Sequence, residues 1–393
     1  MPSQKKILMF ASCERSFNEQ KNVYRSLASK DCKVIFLYTQ EKTTQFLSQN
    51  TIGNFSFDCN FDVDQNDFVY RFKSISTLLP FIPDVVIISR ESWQPETSVI
   101  DEFKHYGSII CCIENSSWLY NTIKNRLEIL SRFRYPTNAI DVFFDHSSWC
   151  YESKKLAGWI SNKSVIVGTP KFDDLKRHFE QTETKNVVVF GSMEKNIRPN
   201  IMEILSELVS DDRINTKYKI CYRPHPKEFE IFSDSFDMFP ISNTTVIKKE
   251  EDLPHYIFNS VCNIGRFSSV MMYPLLFGKN ILYIDDSQSG ILDDFDFETF
   301  KGSEYEFWKG IINVDSFDSF KSKVGEERVQ SFIERYHTLI DNFKSSTNQY
   351  SLERVLSSDT DIQNNEMVVK YFDEYNDGNA SERISDYILS LFE

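Results

Sequence analysis

Glycine and proline are scarce, with 12 of each in 393 residues, which excludes collagen-like and low-complexity architectures. Histidine is scarcer still, with six. No stretch approaches the ~18 uninterrupted apolar residues of a membrane-spanning helix. The opening "MPSQKKILMFASCERSF" has two lysines, but its apolar run is short and strand-like, unlike a secretory signal. Positive charge is in deficit, with 44 Lys and Arg against 58 Asp and Glu and a net charge of −14. Such a chain lacks the cations that replace condensed counterions on a nucleic acid, so no nucleic-acid partner is expected. An anionic small ligand needs only a local positive site. The eight cysteines are unevenly spaced and form no CxxC, which reads as reduced core thiols in a cytoplasmic protein. GxGxxG, the P-loop, HExxH and GxSxG are all missing. NAD, P-loop ATP and zinc chemistry are therefore not expected, and neither is any cofactor or metal.

What is present is a series of short apolar runs at 6–12, 33–39, 84–89, 108–113, 140–144, 164–168, 186–192, 217–222, 244–248, 260–265 and 280–285. They are continuous and rich in Val and Ile, the pattern of strands buried on both faces of a parallel sheet. Segments 18–31, 198–212 and 268–278 between them read as helices, as do 326–344, 364–375 and 381–393. In 198–212, Ile201, Leu205, Leu208 and Val209 recur at helical spacing. The last segment gathers Ile384, Tyr387, Ile388, Leu391 and Phe392 on one face; its other face is acidic, which suits packing on the protein better than a membrane surface. Alternating strands and helices predict an α/β fold of doubly wound sheets. The polar tract "HFEQTETKN" at 178–186 divides the runs. Two Rossmann-like domains are expected, 1–178 and 186–325, with C-terminal helices over 326–393 packing on them.

Ligands of open α/β sheets bind beyond the carboxyl ends of the strands, and four stretches end a strand and turn polar there. In "YRPHPKE", Pro224 and Pro226 hold the turn out of helix, and Arg223, His225 and Lys227 make a cationic cradle for a phosphate. In "NIGRFSSVMMYPLLFG", Ser268 and Ser269 open a helix beside Arg266; they are good N-caps, and the same helix end suits a phosphate. Gly191 and Ser192 close the strand run at 186–192 and join this donor-binding set. In "VIKKEEDLPHYI", Glu250, Glu251 and Asp252 follow a strand; a carboxylate there can hold a ribose diol, and Glu251 is the first choice. In "SIICCIENSSWLYN", Glu114 follows the strand 108–113, where it could serve as a general base on an acceptor hydroxyl. Each has a plainer reading: surface turn, helix cap, solvated charge run or ion pair. The turn of "GTPKFDDL" at 168–175 fits the lining of a cleft and ordinary turn chemistry equally.

Taken together, the His-Pro after a second-domain strand, the acid about midway and the Ser pair opening a helix resemble the bacterial GT-B glycosyltransferases that use CMP-sugars. These are the sialyltransferases and polysialyltransferases, with the β-Kdo transferases nearby. The resemblance implies a GT-B fold, with His225, Glu251, Ser268 and Ser269 as CMP ligands and Glu114 as base. The sequence departs from that family at "ENS" (114–116), which lacks the second acid and the glycine. The resemblance implies transfer of a Kdo- or sialic-acid-type sugar to a glycan or glycolipid acceptor of capsule, O-antigen or lipooligosaccharide. It also implies work at the inner face of the cytoplasmic membrane, held there peripherally by the acceptor or an assembly complex. "GTPKFDDL" and "YRPHP…FSS…LLFGKNILYID" are also similar to the CDP-glycerol glycerophosphotransferases of teichoic acid-like polymers and, more distantly, to UDP-GlcNAc 2-epimerase. A non-catalytic capsule assembly partner is the remaining reading.

Overall fold

The computed structural model describes residues 4–12, 14–40, 43–48, 56–57, 62–63, 70–71, 75–89, 94–113, 139–156, 163–176, 179–192, 198–225, 228, 243–249, 252–266, 268–284, 334, 338, 341 and 366–392. The first part of the chain forms β1 (Lys5–Ala11), α1 (Glu14–Ala28), β2 (Cys32–Gln40), β3 (Thr43–Ser48) and β4 (Ser56–Phe57). A small pair follows, β5 (Asp62–Val63) and β6 (Tyr70–Arg71). Then come β7 (Val85–Ile88), α2 (Gln94–His105), β8 (Ile109–Ile113), β9 (Val142–Asp145), α3 (Ser148–Leu156) and β10 (Ser164–Ile166). Their main sheet has the order β10-β9-β8-β7-β1-β2-β3-β4. It is parallel from β10 to β2, and β3 and β4 add antiparallel to its edge.

The second sheet is wholly parallel, in the order β13-β12-β11-β14-β15. It is built from β11 (Asn186–Phe190), β12 (Lys219–Arg223), β13 (Thr245–Val246), β14 (Ser260–Gly265) and β15 (Ile281–Tyr283). Its helices are α4 (Arg198–Ser210), α5 (Asp212–Asn215), α6 (Leu253–Phe258) and α7 (Met272–Leu276). Each sheet reverses its winding once, at β1/β7 in the first and β11/β14 in the second. These two switch points are where a doubly wound sheet opens a crevice for ligand.

The continuous apolar runs are explained by burial on both faces. In β1, Ile7, Met9 and Ala11 join one core cluster, while Leu8 and Phe10 join the cluster on the other side. In β11, Val187 and Val189 separate from Val188 and Phe190 in the same way. The period is still two, as a strand requires; only the polar half is missing. The six described cysteines are free and buried. Burial pushes the Cys221 and Cys262 thiols up to about 12, so they behave as small apolar side chains.

The helix expected over 268–278 is shorter than its apolar pattern. Residues 269–271 form a 3-10 turn in which Met271 N–H donates to the Ser268 carbonyl at 3.0 Å, and α7 proper has five residues. Pro274 falls in its first turn, where a missing N–H leaves nothing unpaired. Within the expected helix 326–344, only residues 334, 338 and 341 are described, all three helical.

The C-terminal segment joins the two sheets. Val369 and Phe372 of α8 (Glu366–Phe372) are buried in the second-domain core. Ile384 and Ile388 of α9 (Ala380–Ser390) are buried in the first, with Tyr387, Leu391 and Phe392 against it. The crossing is pinned to the turn after β10. Thr169 donates its hydroxyl to Phe372 O at 2.5 Å. Asp173 accepts from the first amides of α9, Ala380 N at 3.0 Å and Ser381 N at 2.7 Å, and so does the work of an N-cap from another element. Arg383 donates Nε to Val167 O at 2.7 Å and grips Asp377 through both Nη atoms. Gly168 is required here: its φ is +89°, and a Cβ would lie 2.7 Å from Asp373 Oδ1. Among the described residues, no helix is long and apolar enough to cross a membrane.

Asp373 is buried at this joint, and burial raises its pKa from 3.8 to about 6. Bonds from the Tyr375 and Asn376 amides to its Oδ1, at 3.2 and 2.9 Å, offset part of the effect, while Asp173 nearby adds to it. An acid whose folded pKa is raised loses stability as pH climbs from 3.8 through about 6. The loss is about 3 kcal/mol at neutral pH for this group alone. Asp373→Asn keeps the acceptor oxygen and removes the charge. Its melting temperature should rise above wild type more at pH 7.5 than at pH 4.5; equal gains at the two pH values would show that Asp373 does not carry the dependence.

Candidate functional site

The parallel second sheet places the carboxyl ends of β11, β12, β13 and β14 along one edge. Gly191 and Ser192 follow β11, Pro224 and His225 follow β12, and Arg266 and Ser268 follow β14. The backbone ladder runs on past the strands, with Gly191 N donating to Arg223 O at 2.8 Å and Ile247 N to Tyr222 O at 2.8 Å. The turn after β12 is therefore fixed from its first residue.

What fixes His225 is a residue the sequence reading passed over. Glu228 is buried, 1% exposed, and its Oε2 accepts the His225 backbone N–H at 2.7 Å. In return Glu228 N–H donates to the His225 carbonyl at 2.8 Å. The carboxylate-to-amide bond across three residues matches one half of a capping box, while the return bond is that of a backbone turn. The Tyr222 hydroxyl donates to the same carboxylate, 2.9 Å from Oε2. Gly191 completes the arrangement. A Cβ there would lie 2.9 Å from His225 N and 2.5 Å from the Tyr222 hydroxyl, and closer still to Glu228 Oε2. The carboxylate occupies the space a side chain would take. His225 itself is half-buried, its main chain held and its ring at the strand-end edge. Glu228 was legible as the acid three residues after the histidine in "HPKE".

Arg223 lies elsewhere than at the mouth of the cradle. Its side chain is buried, and Nη1 donates to the carbonyls of Ile247 and Lys248, both at 3.0 Å. It ties the end of β12 to the residues after β13. Ser192 is buried beside Gly191, and Arg266 and Ser268 are half-buried after β14. Pro226, Lys227, Glu251 and Glu114 lie outside the described residues, as does the side chain of Ser269.

The first sheet has its own polar cluster at its switch point, also unread from sequence. Ser12, just past β1, donates to Glu96 Oε1 at 2.5 Å. Gln20 of α1 donates Nε2 to Phe10 O at 2.7 Å and to the Ser89 hydroxyl, just past β7, at 3.2 Å. Glu19 lies 3.1 Å from Lys171 Nζ and 4.0 Å from His146 Nε2. Glu19, Glu96 and His146 are all almost wholly buried. The available signal was His146 directly after a strand, close to the placing of His225, which Pro224 alone separates from the end of β12.

No family model matches the chain, and no curated protein matches it in sequence. Solved structures do match in fold. A Listeria monocytogenes protein described as a UDP-N-acetylglucosamine 2-epimerase aligns over 99% of this chain and 97% of its own, with TM-score 0.55 and 11% identity. The Methanocaldococcus jannaschii UDP-GlcNAc 2-epimerase, in complex with UDP-GlcNAc and UDP, aligns over 98% and 99%, with TM-score 0.53 and 12% identity. The wall teichoic acid polymerase TagF, soaked with CDP-glycerol, aligns over 98% and 88%, with TM-score 0.50 and 14% identity. Identities this low define a fold and no more. The chain has the GT-B fold, two Rossmann-like sheets of the α/β class.

Gly191→Ala tests the close packing of this edge. It should cost about 1–3 kcal/mol through overpacking and lower the melting temperature. An unchanged melt would mean that the Glu228 carboxylate has room to move.

Proposed function

We propose that the chain is an enzyme that binds a cytidine nucleotide donor at the strand ends of its second sheet and transfers the activated group to a hydroxyl of a surface glycan. In the first reading the donor is a CMP-sugar of the Kdo or sialic acid type, and the product belongs to capsule, O-antigen or lipooligosaccharide. The observation that carries the proposal is the Glu228 clamp on His225. The clamp fixes the backbone from which the His225 imidazole projects, at the end of β12, with Gly191 after β11 next to it and the Ser268 turn after β14 beyond; the imidazole would be the donor to a ligand phosphate. Fixed donors aimed at a leaving phosphate stabilise the charge that grows on it as the bond breaks. Ser268, Ser269 and Arg266 would contribute from β14, Gly191 and Ser192 from β11, and Pro226 and Lys227 from the same turn as His225. Glu251 would take the ribose, and Glu114 would receive the acceptor proton. No step of this reading calls on a metal. The acceptor would meet the enzyme at the inner face of the cytoplasmic membrane.

A second reading, transfer of glycerol phosphate from CDP-glycerol, is favoured by the likeness to TagF along nearly the whole chain. It shares the cytidine donor and the same phosphate site. The epimerase likenesses point instead to a UDP-sugar.

Thermal melts with CMP, CDP-glycerol and UDP separate these. A ligand at 100 times its Kd stabilises by roughly 2.7 kcal/mol, enough to read as a shift. CMP shifting the melt while UDP does not is the expected result. A response to UDP alone would replace the cytidine reading with a UDP-sugar enzyme, and CDP-glycerol turnover would favour the second reading. Silence toward all nucleotides, together with a stable protein complex, would indicate an assembly partner. His225→Ala should cut kcat by about a hundredfold or more with the melt of the free protein unchanged; near-normal turnover would remove His225 from the site.

A further inference from the structure

The turn "GTPKFDDL", at 168–175, lies at the carboxyl end of β10 and touches both domains. Phe172 and Leu175 are buried with Met271, Met272, Leu275 and Leu276, in the core of the second sheet. The Phe172 ring meets Tyr273 edge-on, centroids 5.2 Å apart. Tyr273 belongs to α7, a few residues beyond Ser268. The carboxyl edges of the two sheets therefore approach each other here, with Lys171 next to the point of contact.

Helix α1 holds this turn with one face. Asn22 donates Nδ2 to Pro170 O at 3.0 Å. Arg25, one turn further on, bonds to Asn22 Oδ1 at 2.9 Å and pairs with Asp174 at 3.5 Å. Glu19, one turn before, takes the Lys171 ammonium at 3.1 Å, with His146 behind it. Asn22 and Arg25 alone would anchor the turn. The Glu19 pair adds a buried carboxylate, and burying an ion pair is rarely favourable for stability by itself. Exposure separates its members: the side chains of Glu19 and His146 are 1% exposed and that of Lys171 13%. Lys171 is the least buried member of this cluster, and its ammonium rests 4.9 Å from the Phe172 ring centroid.

We propose that Lys171 is the first domain's ligand for the phosphate of the nucleotide donor, reaching it across the joint between the two sheets, with Glu19 as its positioning residue. The proposal rests on the donor site described above and adds a contact from the opposite domain. Lys171 would bind as a point charge, oriented by a carboxylate that is itself held out of water.

Calorimetric titration of the full chain with CMP, UDP and cytidine tests this, beside Lys171→Met and Lys171→Arg. Lys171→Met should weaken the nucleotide that wild type binds by about tenfold or more and leave cytidine, which has no phosphate, unchanged. Its Kd should also respond less steeply to salt, and Lys171→Arg should restore most of the affinity. If Lys171→Met melts early, Lys171→Gln, which keeps a donor for Glu19, takes its place with the same expectation. A folded variant that binds nucleotide as tightly as wild type overturns the proposal, and so does an equal loss for CMP and cytidine. Should wild type bind UDP and not CMP, the cytidine reading falls while Lys171 is judged on UDP. A wild type that binds neither nucleotide overturns both.

Discussion

The relation between the two sheets depends on the turn that follows β10. Its residues face in three directions. Phe172 and Leu175 are buried under the second sheet. Thr169 and Asp173 hold the crossing from α8 to α9. Lys171 points at Glu19 on the first domain. A single 3-10 segment, Pro170–Lys176, thus carries side chains into both domains and the C-terminal segment. Short-range geometry makes this possible, because residues three apart in a 3-10 turn share a face, so Phe172 and Leu175 go one way together. Gly168 at positive φ swings the chain from strand into turn at the required angle. The approach of the two carboxyl edges at Phe172 and Tyr273 follows from this packing.

The second domain's edge is organised on a different principle, the missing side chain of Gly191. A buried carboxylate is costly unless its oxygens are satisfied. Glu228 meets the requirement with the His225 amide and the Tyr222 hydroxyl, and it reaches both only because no Cβ stands at Gly191. Tyr222 lies with Ile220 in one core cluster while Cys221 lies in the other. The alternation of β12 therefore decides which side chains can touch the turn. Strand, glycine and carboxylate together leave the His225 main chain little freedom. That would matter if His225 acts on a phosphate as proposed, since a restrained backbone limits the reorganisation its side chain needs when charge develops.

The strands were legible because both faces are buried: a run such as Val187–Phe190 has no other stable use in a soluble sheet. Which strands neighbour one another was not, because order depends on crossovers and leaves no mark on any single run. The helix at 268–278 was overread. Its apolar pattern is real, since Met271, Met272, Leu275 and Leu276 are all core, but a 3-10 turn brings the same side chains inward with fewer α-helical residues. Arg223 was read by its charge, when its place in the strand decides its role. It shares a face with Cys221, two residues before it, and that face turns toward the core; there the guanidinium satisfies the Ile247 and Lys248 carbonyls. Glu228 and His146 each carry a local signal, whereas Glu19 is hard to single out because acidic residues are abundant in a chain with 58 of them. Only folding shows which few are taken out of water.

This distribution also bears on how a chain of net charge −14 could take the anionic donor proposed for it. Long-range repulsion is screened within about 8 Å at physiological salt, so only charges near the edge matter. Four described acids there are engaged by the protein itself. Glu228 accepts from its own turn, Glu96 accepts from Ser12, and Glu19 is paired with Lys171. Asp173 accepts from the amides that open α9. The described residues that follow the strands at the second sheet's edge include His225, Ser192, Ser268 and Arg266. Part of the surplus negative charge is thus used, among the described residues, to hold the strand-end turns together.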